Sequence, residues 1–188
     1  MNNLINKIFF RSKNLNYKNL SFENIKKETE VEKIFDAISS FSENSEIRYV
    51  GGCVRKIINK EKVNDIDLAV NLNPIDVCKA LDKKNIRYYE SGIEHGTITA
   101  LINNNKFEIT SLRKDVDTDG RHAKVEFSDN WKEDASRRDF TINAIAMSLN
   151  KQNVGEIIDP LGGIKDLNKG IIITPLEPDE TFSDDPLR

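Results

Sequence analysis

Gly51-Gly52-Cys53-Val54-Arg55, followed ten residues later by Asp65-Ile66-Asp67-Leu68-Ala69-Val70, is the stretch on which the reading of this chain turns. Ile47 to Val50 is a short β-prone run ending at Gly51, and Val54, Ile57 and Ile58 recur at the spacing of a helix of about two turns. Glycines at such a strand-to-helix junction let a phosphate approach backbone N–H groups, where a helix N-terminus favours negative charge. Arg55, on the first turn, can add a bidentate phosphate contact. Residues 63–70 read as the next strand, with Ile66, Leu68 and Val70 on its core side. Asp65 and Asp67 then project together from the other face, their Cα atoms about 6.6–6.8 Å apart. Carboxylates held on one face repel unless a cation sits between them. Mg²⁺ is a hard ion that takes one or two carboxylates plus substrate phosphates. A bare Asp-x-Asp is more often a solvated strand face, so the pair needs support. Phe107-Glu108-Ile109-Thr110 supplies it by placing a third acid inside a β-prone run. Three acids, a glycine cradle and an arginine are the parts of a two-metal phosphoryl-transfer site.

Outward from this centre the chain alternates helical and extended signals. Val31, Ile34, Phe35, Ile38 and Phe41 predict an amphipathic helix over 30–42, and Pro74 suits the first turn of a helix carrying Ile75, Val77, Cys78 and Leu81. Strands are expected at 86–90, 97–102 and 106–112, the last two joined by the turn-like Asn103-Asn104-Asn105. The polar stretch 113–124 reads as a mobile loop. A long helix is expected from about 131 to 149, then a sharp turn at Asp159-Pro160-Leu161-Gly162-Gly163 and a short strand at 171–174. No internal repeat is visible, and the mixed order predicts an α+β fold.

Composition sets the outer bounds. The 188 residues are 38% hydrophobic and 31% charged, which excludes collagenous, low-complexity and fully disordered chains. No apolar run approaches the ~20 residues of a membrane helix, so no membrane partner is expected. Cys53 and Cys78 are too few for a disulfide scaffold or a four-Cys zinc site and suit a reduced cytoplasm. The net charge of −3 hides an asymmetry: residues 1–27 carry six basic side chains against Glu23, and the remainder holds 22 basic and 30 acidic residues. A basic terminus is either a solvated tail or electrostatic help in holding a polyanion. It also loosely resembles an organelle transit peptide. The abrupt ending at Asp184-Asp185-Pro186-Leu187-Arg188 predicts a cut within a longer chain.

These motifs resemble the head of the class II tRNA nucleotidyltransferases, the CCA-adding enzymes and their relatives the bacterial poly(A) polymerases. The resemblance runs through Gly51-Gly52-x-Val54-Arg55, Asp65-Ile66-Asp67-Leu68-Ala69 and Phe107-Glu108-Ile109-Thr110-Ser111-Leu112-Arg113. It continues through Asp117-Thr118-Asp119-Gly120-Arg121-His122, Arg137-Arg138-Asp139-Phe140-Thr141-Ile142-Asn143-Ala144, Asp159-Pro160-x-Gly162-Gly163 and Asp185-Pro186-Leu187-Arg188, covering about residue 48 to the end.

The resemblance implies a polymerase-β-like nucleotidyltransferase head, a mixed or antiparallel sheet flanked by helices, with the start of a helical neck. It divides the chain into a basic extension (1–29), a catalytic head (30–150) and a head-to-neck segment (151–188). It implies two Mg²⁺ ions on Asp65 and Asp67, Glu108 as the third catalytic acid assisting the 3′-hydroxyl of tRNA, and CTP and ATP as substrates. Gly51, Gly52 and Arg55 would bind nucleotide, as would Arg137, Arg138, Asp139, Asn143 and Arg188. On spacing alone, Asp134–Arg138 and Asp139–Asn143 are i,i+4 pairs that usually decorate a helix. Two departures matter. Lys56 stands where the family usually has Asp, and the family's nucleotide-selecting Glu-Asp-x-x-Arg helix does not follow Arg188. Full CCA addition, poly(A) synthesis, addition of only CC or only A, and a non-catalytic nucleotide-binding head therefore stay open. The 188 residues by themselves are expected to show little specific activity. His122 would lie either in the flexible element that in the family assists the C-to-A switch or in an ordinary surface loop. His95 reads as a turn residue, and Trp131 and Phe140 as packing residues rather than base-stacking ones.

Overall fold

The computed structural model describes residues 31–118, 123–149 and 155–184. In chain order its elements are α1 (Glu32–Ser39), β1 (Ile47–Val50), α2 (Gly52–Ile58), β2 (Asp67–Val70), α3 (Pro74–Lys83), β3 (Arg87–Gly92), β4 (Thr97–Ile102) and β5 (Asn105–Ser111). Then follow β6 (Arg113–Thr118), β7 (Ala123–Phe127), α4 (Trp131–Ser136), β8 (Ala146–Ser148), β9 (Glu156–Ile158), α5 (Gly163–Lys169) and α6 (Pro178–Asp184). Seven strands form one sheet in the order β3-β4-β5-β2-β1-β8-β9, while β6 and β7 pair as a separate ribbon. Neighbours in the sheet are antiparallel except β2 and β5. The α+β expectation holds.

Strand alternation sorts the side chains. Ile66, Leu68 and Val70 join the main core with Ile34 and Ile38 of α1, Val54 and Ile58 of α2, and Leu81 of α3. On the opposite face Val50, Ala69, Leu112 and Ala146 form a smaller apolar cluster under Trp131 of α4. One face is therefore sheathed by three helices and the other is only partly covered. Local chemistry supports the frame. The Asn73 side chain accepts the Asp76 N–H at 3.0 Å, capping α3 with Pro74 in its first turn. Asn103 and Asn104 both have positive φ, as a two-residue hairpin between β4 and β5 requires.

Four expectations are corrected. The strand expected at 63–70 begins only at Asp67, because β1 offers ladder partners no further back than Leu68 and β5 no further back than Asp67. The stretch 113–124 is not simply a loop. Residues 113–118 and 123–127 pair antiparallel, with Lys114 and Glu126 in an ion pair at 3.0 Å across them. β6 holds a single apolar residue, Val116, and so carries no strand signal, whereas in β7 Ala123, Val125 and Phe127 alternate with Lys124 and Glu126, a period of two that the loop reading passed over. The long helix expected over 131–149 breaks up: α4 ends at Ser136, Phe140 is extended, residues 141–143 make one 3₁₀ turn, and 146–148 join the sheet beside β1. Ile145, Met147 and Leu149 are spaced by two and all enter the main core, so their period is that of a strand. No strand forms at 171–174. The backbone there still passes close to the 3₁₀ turn, and Ile173 O accepts the Thr141 N–H at 2.9 Å. The unforeseen β9 extends the sheet beyond β8 instead.

Candidate active site

The acids gather on the partly covered face of the sheet. Asp67 and Glu108 stand opposite each other in the parallel register of β2 and β5, strands about 4.8 Å apart. Phe107 and Ile109 are buried in the main core, so Glu108 turns to the other face, as Asp67 does between Ile66 and Leu68. Both carboxylates are exposed. Asp65 lies in the irregular lead-in to β2 rather than on the strand itself. Crowding by the protein pushes the Asp67 carboxyl above its ordinary range. The Arg138 guanidinium pulls the other way, Asp65 adds to the rise and Lys56 opposes it. Asp65, Lys56 and Arg138 therefore share the electrostatic neighbourhood of Asp67.

Among the described residues no three His, Cys, Asp or Glu side chains converge as a ready-made metal cage. Glu108 is beside Asp67 by register without closing such a cage. The hard oxygen donors of Asp65 and Asp67, next to space kept open by glycine, still fit an Mg²⁺ ion whose remaining ligands are phosphate oxygens and water.

Gly51 supplies that space. Its φ of +70° and ψ of −137° form a conformation L side chains rarely adopt, and it bends the chain from β1 into α2. A Cβ there would lie 3.8 Å from Arg138 Nη1 and 3.9 Å from Asp67 Oδ2. A Cβ on Gly52 would lie 3.9 Å from Arg55 Nη2. The two glycines thus leave a cradle between a carboxylate and two guanidiniums. Behind it, the Cys53 thiol donates to the carbonyls of Val50 at 3.1 Å and Asp67 at 3.7 Å, tying α2 to both strands. Burial pushes that thiol up to about 11, so it stays protonated and acts as packing. Cys78 is likewise buried and free.

The second candidate segment follows α4. Asp134 is buried there and both its oxygens are taken by arginine. Oδ1 accepts from Arg137 Nε at 3.1 Å and Nη2 at 2.7 Å, and Oδ2 accepts from Arg138 Nε at 3.2 Å and Nη2 at 2.9 Å. The i,i+4 pair is therefore no surface decoration. Asp139 is turned into its own loop, its carboxylate accepting the Phe140 N–H at 2.8 Å and the Asn143 amide at 2.9 Å. Asn143 Oδ1 in turn accepts from Arg55 Nη1, joining this loop to α2. The loop is braced from below. Thr141 donates to the buried Asp166 of α5 at 2.7 Å, and Asp159 caps α5 by accepting the Gly163 and Ile164 N–H groups at 2.7 and 3.0 Å.

The structure thus brings Gly51, Gly52, Arg55, Asp67, Glu108, Arg138 and Asn143 to one side of the molecule, with Asp65 beside them. Arg188 and His122 lie outside the described residues. His95 closes a 3₁₀ turn just before β4, as expected of a turn residue. Trp131 packs over the small apolar cluster and under the Arg48 guanidinium, 3.9 Å from its ring centre. Sequence reasoning missed Asp134, whose signal was its position three and four residues before the two arginines.

The arrangement is an α+β head with acids on an open sheet face and guanidiniums across a glycine cradle. Residues 47–173 match the family described as the poly(A) polymerase head domain. The chain belongs to that family. It is 44% identical over 126 residues, 66% of its length, to the human protein named CCA tRNA nucleotidyltransferase 1, mitochondrial, and covers 28% of that relative. It is 39% identical over 145 residues to the CCA-adding enzyme of Lactobacillus delbrueckii subsp. bulgaricus, covering 76% of this chain and 35% of the relative. The crystal structure of the Bacillus stearothermophilus CCA-adding enzyme in complex with CTP superposes with a TM-score of 0.68 at 31% identity, covering 84% of this chain and 36% of that one. The chain thus spans about a third of the length of these relatives.

Proposed function

We propose that this chain is the nucleotidyl-transferring head of an enzyme that adds nucleotides from CTP and ATP to the 3′ end of tRNA. One observation carries the reading. Asp67 stands in register with Glu108 on an open sheet face, and Arg138 Nη1 approaches Asp67 across a glycine that leaves room for a phosphate. The names of the relatives support CCA addition and tRNA as the acceptor, and the CTP complex of the Bacillus enzyme supports a triphosphate substrate.

In this reading Asp65 and Asp67 would hold two Mg²⁺ ions, which would supply acidification of the attacking 3′-hydroxyl and charge neutralisation at the phosphates. Glu108, exposed beside Asp67, takes the third acidic role by accepting the proton of that hydroxyl. Gly51 and Gly52 let the triphosphate approach the backbone, and Arg138 and Arg137 neutralise its charge. Arg55 holds Asn143, and Asn143 holds Asp139, so that this loop keeps its place beside the nucleotide. Arg188 is assigned to the nucleotide by family resemblance. Among the described residues no helix is long and apolar enough to cross a membrane. The free thiols of Cys53 and Cys78 support a reducing compartment such as the cytoplasm. The relatives' names allow the mitochondrion too.

The test uses the full-length natural protein with Mg²⁺ and a tRNA lacking its 3′ CCA. Supplying CTP alone, ATP alone and both is expected to give additions of CC, none and CCA respectively, and Asp67→Ala is expected to abolish all extension. A long A tail with ATP alone would instead assign poly(A) synthesis. Absence of any incorporation would refute the reading.

A further inference from the structure

The feature left unexplained by these roles is the buried acid of α4. Asp134 is 3% exposed, yet it lies beside a site that must attract polyanions. A lone buried carboxylate there would repel a triphosphate. Its surroundings give it another use. A cavity of about 130 Å³ adjoins it, lined by Arg48, Val50, Trp131, Arg138 and Ile158 among others, and the Arg48–Trp131 stack stands over this side of α4. At this burial the carboxylate is withdrawn from bulk water, and its hydrogen bonds to the two guanidiniums are the stronger for it. Each arginine presents its Nε–Nη2 edge to one oxygen, the fixed fork geometry that guanidinium offers and an ammonium cannot. With Nε and Nη2 engaged, Nη1 is the nitrogen of each side chain that Asp134 leaves untaken. No hydrogen bond to Arg137 Nη1 or Arg138 Nη1 is seen among the described residues, and Arg138 Nη1 lies at the glycine cradle. Two guanidiniums and one carboxylate still leave a net positive charge. Arg137 Nε also reaches Arg113 O at 3.1 Å, fixing the pair to the base of β6.

We propose that Asp134 is a positioning residue that holds Arg137 and Arg138 side by side, so that their free Nη1 edges meet a nucleoside triphosphate as one preorganised, doubly cationic surface. It touches no substrate. It acts through the arginines, and the inference rests on the proposed placing of those arginines at the triphosphate.

The experiment is a titration of the full-length protein with ATP, without primer, comparing wild type, Asp134→Asn, Arg138→Gln and the double variant. An amide can serve one arginine but offers a donor to the other. Displacing catalytic or binding groups by about an ångström costs on the order of 10²-fold. Asp134→Asn is therefore expected to weaken ATP binding by about 10- to 100-fold. The double variant is expected to lose markedly less than the product of the two single losses, because Asp134 works partly through Arg138. A merely structural role would lower the melting temperature and leave the ATP affinity of the folded protein unchanged, and that result would overturn the inference. Losses that multiply in full would overturn it too. Where Asp134→Asn does not fold, Asp134→Glu serves instead, keeping the charge while shifting both guanidiniums by one methylene. It is expected to melt near wild type with about tenfold weaker ATP binding, and wild-type affinity in it sinks the idea. If wild type itself binds no ATP, the proposed function falls and this inference with it. If wild type binds and Asp134→Asn binds equally well, this inference alone falls.

Discussion

Asp67 pays for its position. The protein crowds its carboxyl and Asp65 adds like charge, so the folded state holds the Asp67 proton more tightly than the unfolded chain does. The ionised form therefore costs stability, and that cost grows as pH rises from the ordinary carboxylate value of 3.8 through the raised folded value. Asp67→Asn, measured in chelator, is expected to raise the melting temperature at neutral pH while abolishing nucleotide transfer. The gain should vanish at about pH 3, where the wild-type carboxyl is protonated in both states. Scanning calorimetry across pH checks the sign, and a gain that persists in acid would show another cause. Asp134 runs the other way. Burial raises its pKa, but the charges of Arg138 and Arg137 and their hydrogen bonds outweigh burial and hold it below the ordinary range. Its stabilisation is present at neutral pH and is lost as pH falls through that lowered value.

At the scale of elements, the loop from Asp139 to Asn143 is the joint between the sheet and the candidate site. It has no long helix to stiffen it. Instead α5 presses on it through Gly163, where a Cβ would meet Thr141 O at 2.1 Å and Ile145 Cγ1 at 3.0 Å. The obstacle is largely backbone, which cannot swing aside as a side chain can. Gly163→Ala is expected to destabilise the protein by about 3 kcal/mol. It should also weaken ATP binding, because Asn143 and its partner Arg55 would shift with the loop. Urea denaturation and an ATP titration of the folded fraction read the two effects separately. An alanine variant as stable as wild type would show that α5 moves freely on the loop.

At the scale of the whole molecule, Asp67 and Arg138 come from segments about 70 residues apart, joined across β1. Strand β1 ends at the glycine cradle and lies between β2, which carries Asp67, and β8, which follows the loop of Asn143. All the candidate residues outside residues 185–188 therefore belong to one sheet, the helices on it and the loops that join them. The 188-residue chain is accordingly expected to bind ATP by itself. It covers about a third of its relatives' length, and its net charge of −3 offers little general attraction for RNA. Primer extension by this chain is expected to be slow and indifferent to whether CTP or ATP is supplied, compared with its longer CCA-adding relatives. Prompt and ordered CCA addition by the 188 residues would refute that division of labour.

The residues of the site were legible because their chemistry is local. Gly51 must relieve a backbone that only glycine adopts easily, and acids amid the apolar residues of β2 and β5 stand out against the run they interrupt. Ile66, Leu68 and Val70 marked their face correctly because a strand's period of two does not depend on what it pairs with. Other features depended on partners distant in the chain. The parallel register that sets Asp67 opposite Glu108 is a property of two strands about 40 residues apart. The strand character of 146–148 came from pairing with β1, and the ribbon of β6 and β7 from the backbone pairing of β6, a strand with almost no apolar residue. Asp134 looked like one of many helical i,i+4 partners until burial removed the competing water. The chain's chemistry was thus written in its residue types, whereas the geometry that makes those residues act together was decided by long-range pairing and exclusion of solvent.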